Sequence, residues 1–175
     1  MKYSLKHRGA RFVMNKVLVN NRFVYEKDLN ISIYDRGYQF GDGVYEVIRF
    51  YNKKYFKLKE HLERYYESAR KIDIDIPYKI DELSHMFEEL LSVNEINDGY
   101  VYTQLTRGIA PRNHIYSKGD LKPQLIAYVE QSNRPYETME NGAPAILHED
   151  ERWTKCDIKS LNLLGSVLAK NQAKK

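Results

Sequence analysis

The order of apolar and polar positions divides the chain into alternating and helical stretches. Val17-Leu18-Val19 and Arg22-Phe23-Val24-Tyr25 flank Asn20-Asn21, and because asparagine tolerates the positive φ of a tight turn, the three pieces predict a β-hairpin. Ile31-Ser32-Ile33-Tyr34 alternates like a further strand. Residues 35–43 follow with three glycines and predict a loop, of the kind that lets backbone approach a ligand or a neighbouring chain. Residues 44–51 are rich in β-branched and aromatic side chains, and period two puts Tyr45, Val47 and Arg49 on one face. Asn52-Lys53-Lys54 then turns the chain back into Tyr55-Phe56.

From Leu58 the period becomes helical. Leu58, Leu62, Tyr65, Ala69 and Ile72 form an apolar stripe, His61 and Arg64 share another face, and Pro77 closes the segment. Leu83, Met86, Phe87, Leu90 and Leu91 mark a second amphipathic helix over residues 80–93, with Asn94 as its stop. Residues 100–107 alternate again, with Tyr100, Tyr102, Gln104 and Thr106 on one side, a polar and aromatic face able to line a site. Residues 108–122 predict a loop containing Arg112-Asn113-His114, and residues 123–129 a strand. The domain reading is a leader at 1–13, an α+β (α/β) domain at 14–131, an interdomain linker at 132–142 with Pro135 and Gly142, and the start of a β-rich domain at 143–175.

Composition narrows the picture. A length of 175 residues suits one domain with a real core, and a second domain would be incomplete. The net charge of +4 is accounted for by Lys2, Lys6, Arg8 and Arg11, so the chain from Met14 onward is neutral, which argues against a nucleic-acid surface. Met14, just before the first strand-like run, reads as a natural start. No apolar run approaches the roughly 20 residues that span a bilayer, and no secretory signal is visible, which makes the cytoplasm the expected compartment. The single cysteine, Cys156, excludes an internal disulfide framework and a cysteine-rich zinc site, and reads as a small buried hydrophobe.

The stretch with the strongest chemical suggestion is Asp157-Ile158-Lys159-Ser160-Leu161-Asn162-Leu163-Leu164-Gly165. Leu161, Leu164 and Leu168 stand at near-helical spacing with Ser160 as N-cap, so Lys159 is expected at the positive end of a helix, with Trp153, Cys156 and Ile158 as an apolar approach. Poor solvation and a helix N-terminus both disfavour the ammonium form and prepare an amine for a carbonyl cofactor.

Five motifs together resemble the class IV (fold-type IV) pyridoxal-phosphate-dependent aminotransferases, nearest to the bacterial D-amino acid aminotransferases. They are Asp35 to Glu46 (DRGYQFGDGVYE), Glu60-His61-Leu62-Glu63-Arg64, Thr106-Arg107-Gly108, Pro111-Arg112-Asn113-His114 and Cys156 to Leu164 (CDIKSLNLL), in the family's order and spacing from about Met14 to about Ala173. The resemblance implies that Lys159 holds pyridoxal 5'-phosphate covalently and moves the substrate Cα proton. It implies that Arg64 binds the cofactor phosphate, and that Tyr45, Arg112 and His114 trap the substrate α-carboxylate, with Tyr102 beside the trap. Arg112 and His114 would reach in from the second subunit of a homodimer, with amino acids and 2-oxo acids as the small-molecule partners. It further implies that the acid pairing with the cofactor ring nitrogen lies beyond Lys175, so that the chain is a truncated member. The expected activity is ping-pong transfer from D-alanine to 2-oxoglutarate, giving pyruvate and D-glutamate. The alternatives within the fold are a branched-chain L-amino acid aminotransferase and an aminodeoxychorismate lyase, and outside enzymes an inactive remnant.

Overall fold

In the computed structural model the described residues are 15–174, and the leader at 1–13, with Met14, lies outside them. The predicted hairpin forms: β1 (Lys16–Val19) and β2 (Arg22–Tyr25) pair antiparallel, and Asn20 takes φ 56° at the turn. A short 3-10 turn, Glu26–Asp28, follows. Ile31 to Tyr34 is not a strand; it is irregular chain ending in a turn. The expected loop after it contains α1 (Arg36–Phe40), whose N-cap Asp35 accepts from the Gly37 N–H at 2.8 Å and whose C-cap Gly41 is left-handed, φ 65°.

Strands β3 (Gly43–Tyr51) and β4 (Lys54–Tyr55), helices α2 (Leu58–Arg70) and α3 (Ile80–Val93), and strands β5 (Gly99–Thr106) and β6 (Gln124–Gln131) follow the predicted order. The six strands form one antiparallel sheet in the order β2-β1-β6-β5-β3-β4, so the α+β reading is the one realised. Asn94 ends α3 as expected. Its side-chain amide donates to the Leu90 and Lys16 carbonyls, and its oxygen accepts from the Lys16 N–H, which ties the helix end to β1.

Period two decides the sheet's two faces. Val44, Glu46, Ile48 and Phe50 of β3 with Val101, Thr103 and Leu105 of β5 are buried, and Leu62, Tyr65 and Ala69 of α2 with Leu83, Phe87 and Leu90 of α3 are buried in the same core. Each fully buried leucine contributes roughly 1.5–3 kcal/mol relative to exposure, so these two helices hold that face of the sheet against them. The opposite face carries Tyr45, Val47, Tyr102, Gln104 and Tyr128, all partly exposed.

Residues 132–142, read as linker, contain α4 (Tyr136–Asn141), which buries nothing. The last helix departs most from expectation. It is α5 (Leu164–Gln172), with Leu163 and not Ser160 at its N-cap, and none of its residues is buried. The reason lies at β3: β4 covers only Phe50 and Tyr51, which leaves the first half of that edge free. Residues 159–161 fill it. Tyr45 N–H donates to the Lys159 carbonyl and Leu161 N–H to the Gly43 carbonyl, both at 3.0 Å, with an antiparallel bridge between Val44 and Ser160. Extended pairing here excludes a helix from Ser160. The approach is close enough that a Cβ at Gly43 would stand 2.9 Å from Leu161 Cδ1, and one at Gly41 2.7 Å from Asn162 Oδ1.

Candidate functional site

Lys159 therefore lies on an added strand segment and not at a helix end. Its backbone N–H donates to Ser68 Oγ of α2 at 3.1 Å, so sheet edge and helix fix it from two sides. The side chain is half-buried, and Nζ stands over the Tyr45 ring at 4.2 Å from its centroid. The apolar approach expected around it is only partly present. Ile158 is buried, but Trp153 is 42% exposed and Cys156 is exposed and not a buried hydrophobe. Cys156 is instead held by its Sγ donating to the Trp153 carbonyl at 2.9 Å.

Lys159, Tyr45 and Arg64 line one cleft of about 260 Å³, together with Arg152, Trp153, Ser160 and others. Three of the sequence-predicted residues thus meet. Arg64 comes from the exposed side of α2 and is steered by Glu46, a residue that the reading of the sequence quoted without assigning it a role. Glu46 stands between Val44 and Ile48 on the core-facing side of β3 and is fully buried, 0% exposed, while Arg64 is 53% exposed. Arg64 Nε and Nη2 donate to its two oxygens at 2.5 and 2.8 Å, and His61 Nδ1 donates at 2.9 Å. The hydrogen bonds that Arg64 donates to Glu46 hold its guanidinium's pKa up. Nη1 makes no hydrogen bond among the described residues, so a second edge of the planar fork is open to an anion. A charged residue at an apolar-face position of a strand, with His61 and Arg64 three apart on the helix above, was the available signal.

Tyr102 adjoins the cleft without lining it. Its ring stacks on Tyr45 at 5.9 Å and meets Tyr128 at 5.2 Å, a row of tyrosines across β3, β5 and β6. Burial, with the neighbouring Tyr128 and Tyr45, pushes its hydroxyl up to about 12, and that protonated hydroxyl donates to Gln104 Oε1 at 3.0 Å. Tyr102 lines a different cleft of about 370 Å³ with Leu29, Ile31 and Ile126.

Arg112 and His114 stand elsewhere. Both are exposed on the 108–122 loop, the Arg112 guanidinium 4.6 Å and the His114 ring 5.1 Å from the Phe40 ring of α1. His114 lines a third cleft with Arg36, Phe40 and Arg107. Within one copy the chain does not bring them to Lys159's cleft.

The family model described as amino-transferase class IV matches residues 43–175. A D-alanine aminotransferase of Staphylococcus haemolyticus is 49% identical over 162 residues, covering 93% of this chain and 57% of that protein. A D-alanine aminotransferase of Listeria monocytogenes is 52% identical over 160 residues, covering 90% of this chain and 55% of that protein. The chain thus spans just over half the length of the curated relatives it matches. In fold, it is similar to the T.th. branched-chain amino acid aminotransferase complexed with N-(5'-phosphopyridoxyl)-L-glutamate. The TM-score is 0.81 at 22% identity, over 92% of this chain and 55% of that one.

Proposed function

Because this chain belongs to the amino-transferase class IV family, we propose that it forms the lysine-bearing part of a pyridoxal-phosphate-dependent transaminase acting on D-amino acids. The observation that carries the reading is the meeting of Lys159, Tyr45 and Arg64 on one cleft, with Lys159 Nζ 4.2 Å from the Tyr45 ring centroid and Arg64 Nη1 making no hydrogen bond among the described residues. An amine and a guanidinium with a free edge fit a ligand that carries both an aldehyde and a phosphate. The substrate class follows the two D-alanine aminotransferase relatives, about half identical over nearly the whole chain.

Bound there, pyridoxal phosphate would supply an electron sink for the bonds at the substrate Cα. The chain's own groups do the rest. Lys159 Nζ would hold the cofactor through its aldehyde and would carry the proton taken from the substrate Cα. Arg64 would bind the phosphate, its guanidinium braced by Glu46 through Nε and Nη2. Tyr45 closes one wall beside the amine. The amino group leaves D-alanine, which departs as pyruvate, and passes to 2-oxoglutarate, which departs as D-glutamate.

Arg112, His114 and Tyr45 take the substrate α-carboxylate, and because the loop pair lies away from Lys159 in one copy, the trap is completed by a second copy in a homodimer. Residues 14–131 form the smaller domain, 132–142 the linker, and 143–175 the first part of the domain that encloses the cofactor; the enzyme works in the cytoplasm.

The test uses the full-length protein. Borohydride reduction and peptide mapping should place a pyridoxyl label on Lys159, and coupled assays should show pyruvate from D-alanine with 2-oxoglutarate. A label on Lys155 or Lys170 alone removes the lysine assignment, and preference for L-alanine or a branched L-amino acid removes the D-specific one.

A further inference from the structure

The residues between Arg107 and Gln124 contain no helix or strand, yet Arg112 and His114 are held against α1. What holds them is a buried cluster outside the Lys159 cleft. Arg36, 4% exposed, donates from Nε to Asp42 at 2.7 Å, from Nη1 to the Asn113 carbonyl at 2.5 Å and from Nη2 to the His114 carbonyl at 3.4 Å. Its guanidinium also stands 4.9 Å from the Phe40 ring, whose surroundings include Arg112 and His114. Asp42 is gripped at the same time by Arg107, through Nε and Nη2 at 2.9 Å each, and Arg107 reaches the Ile72 and Asp73 carbonyls beyond α2.

A buried guanidinium is costly to desolvate unless its donors are used, and Arg36 uses three of its five on one carboxylate and two adjacent loop carbonyls. Lysine could not do this: an ammonium is a point charge with no plane to span Asp42 and two carbonyls. Backbone bonds fix the loop's entry, from Arg36 N–H to the Gly108 carbonyl and from Ala110 N–H to the Tyr34 carbonyl. Beyond Ala110, Arg36 binds the backbone at Asn113 and His114 themselves, with Phe40 as the surface against which the Arg112 and His114 side chains rest, while farther along Tyr116 stacks on Arg107 at 3.4 Å and donates to Asp73 at 3.4 Å.

We infer that Arg36 and Phe40 are positioning residues that set where Arg112 and His114 stand, and through them the affinity for the substrate carboxylate. The inference rests on the carboxylate role proposed for that pair, and it adds two residues that touch neither substrate nor cofactor. Substrate capture would then depend on α1, which precedes the turn that opens β3, so in each copy one element sets both the strand carrying Tyr45 and the loop lent to the second copy's trap.

Two readouts on the full-length protein separate the parts of the claim. Hydrogen exchange over residues 109–118 should accelerate in Arg36→Lys at least about tenfold while α2 and α3 keep wild-type protection. In steady-state kinetics, Arg36→Lys should raise KM for D-alanine about tenfold with kcat little changed, and Phe40→Leu, at a half-exposed site that tolerates the change, about threefold. In the background of Arg112→Ala both effects on KM should largely vanish, since residues acting through the same contact are not additive. A merely structural role predicts additivity. Unchanged loop exchange in Arg36→Lys, or KM effects that persist in full without Arg112, overturns the inference. A loosened loop in a protein that does not transaminate D-alanine would instead retire the functional reading and leave the anchoring in place.

Discussion

Glu46 and Asp42, four residues apart where β3 begins, each hold arginine by a carboxylate, and they leave that arginine in opposite conditions. At Glu46 the acid is fully buried and Arg64 is half in water, with Nη1 making no hydrogen bond among the described residues. At Asp42 the acid is 13% exposed, and Arg36 and Arg107, at 4% and 6%, have their donors on Asp42 and backbone carbonyls. The first arrangement leaves a charge half in water on a cleft, and the second uses charge to tie irregular chain together. The difference follows from where the arginines originate. Arg64 rises from the outer side of a helix, whereas Arg36 and Arg107 sit where two loops enter and leave the sheet. Identical chemistry thus serves recognition or scaffolding according to which partner is buried.

The largest expected effect is at the scaffolding end. Asp42→Ala would leave two nearly buried guanidiniums facing each other without their acid, and breaking a buried pair in this way costs about 3–5 kcal/mol. Denaturant unfolding of the full-length protein should show it, and a loss below about 1 kcal/mol would mean that Arg36 and Arg107 are satisfied by the carbonyls alone. Acid titration gives the same answer with a sign. Burial pushes the Asp42 carboxyl up, but Arg107 and then Arg36 outweigh it and hold the group below its ordinary 3.8. A carboxyl depressed by folding contributes stability that is complete above the unfolded value and is lost as pH falls through the lower folded value. Below about pH 4 the wild type should therefore lose stability more steeply than Asp42→Ala.

At the recognition end the effects should appear in binding. Arg64→Ala removes the charge-assisted bonds available to a phosphate, roughly 1.5–3 kcal/mol, so Kd for pyridoxal phosphate should rise about ten- to a hundredfold with KM for D-alanine little changed. Arg112→Ala should do the reverse, raising KM for D-alanine at least about tenfold while the cofactor stays bound. Cofactor titration and steady-state kinetics on the two variants make the pair self-checking. If Arg64→Ala leaves cofactor affinity intact, its open edge faces something other than phosphate, and the contrast with Arg36 loses its meaning.

Much of this was legible in the sequence, for identifiable reasons. The β1–β2 hairpin, β3, α2, α3 and β5 announce themselves because each buries one face, and burial of one face writes a period into the chain. The motifs point to Lys159, Arg64 and Tyr45, and the fold brings these three to a common cleft. Two readings failed where the deciding partner is remote in sequence. Leu161, Leu164 and Leu168 fit a helix, but a free stretch of β3 edge more than a hundred residues earlier claims the Lys159 and Leu161 backbone first. Ile31 to Tyr34 alternates yet finds no strand to pair with, and Ile31 lines the cleft beside Tyr102 instead. Arg36, the first residue of the five-residue α1, and Asp42, in the turn after it, carry no periodic signal, because side-chain partners and not neighbours along the chain decide their burial. Glu46 was the readable omission, a charge at a core-facing position of an otherwise apolar strand.

The smallest effect expected concerns Ser68, which belongs to neither cluster and separates anchoring from charge altogether. It is 1% exposed on α2 and accepts the Lys159 N–H at 3.1 Å, so Ser68→Ala deletes one neutral hydrogen bond beneath Lys159. Such a bond is worth about 1 kcal/mol net, and alanine's better helix propensity returns up to roughly 0.5 kcal/mol of that. The lysine should nevertheless hold its place, because the Tyr45 N–H still binds its carbonyl and the Leu161 N–H still binds Gly43 on the same edge. Thermal unfolding of the full-length protein should therefore shift only slightly, and kcat should stay within about threefold of wild type. A kcat loss beyond about tenfold with unchanged stability would show that α2, and not the β3 edge, sets the position of Nζ. In that event the helix that carries Arg64 would be responsible for both the amine and the guanidinium, and Glu46 would act on the site only through α2.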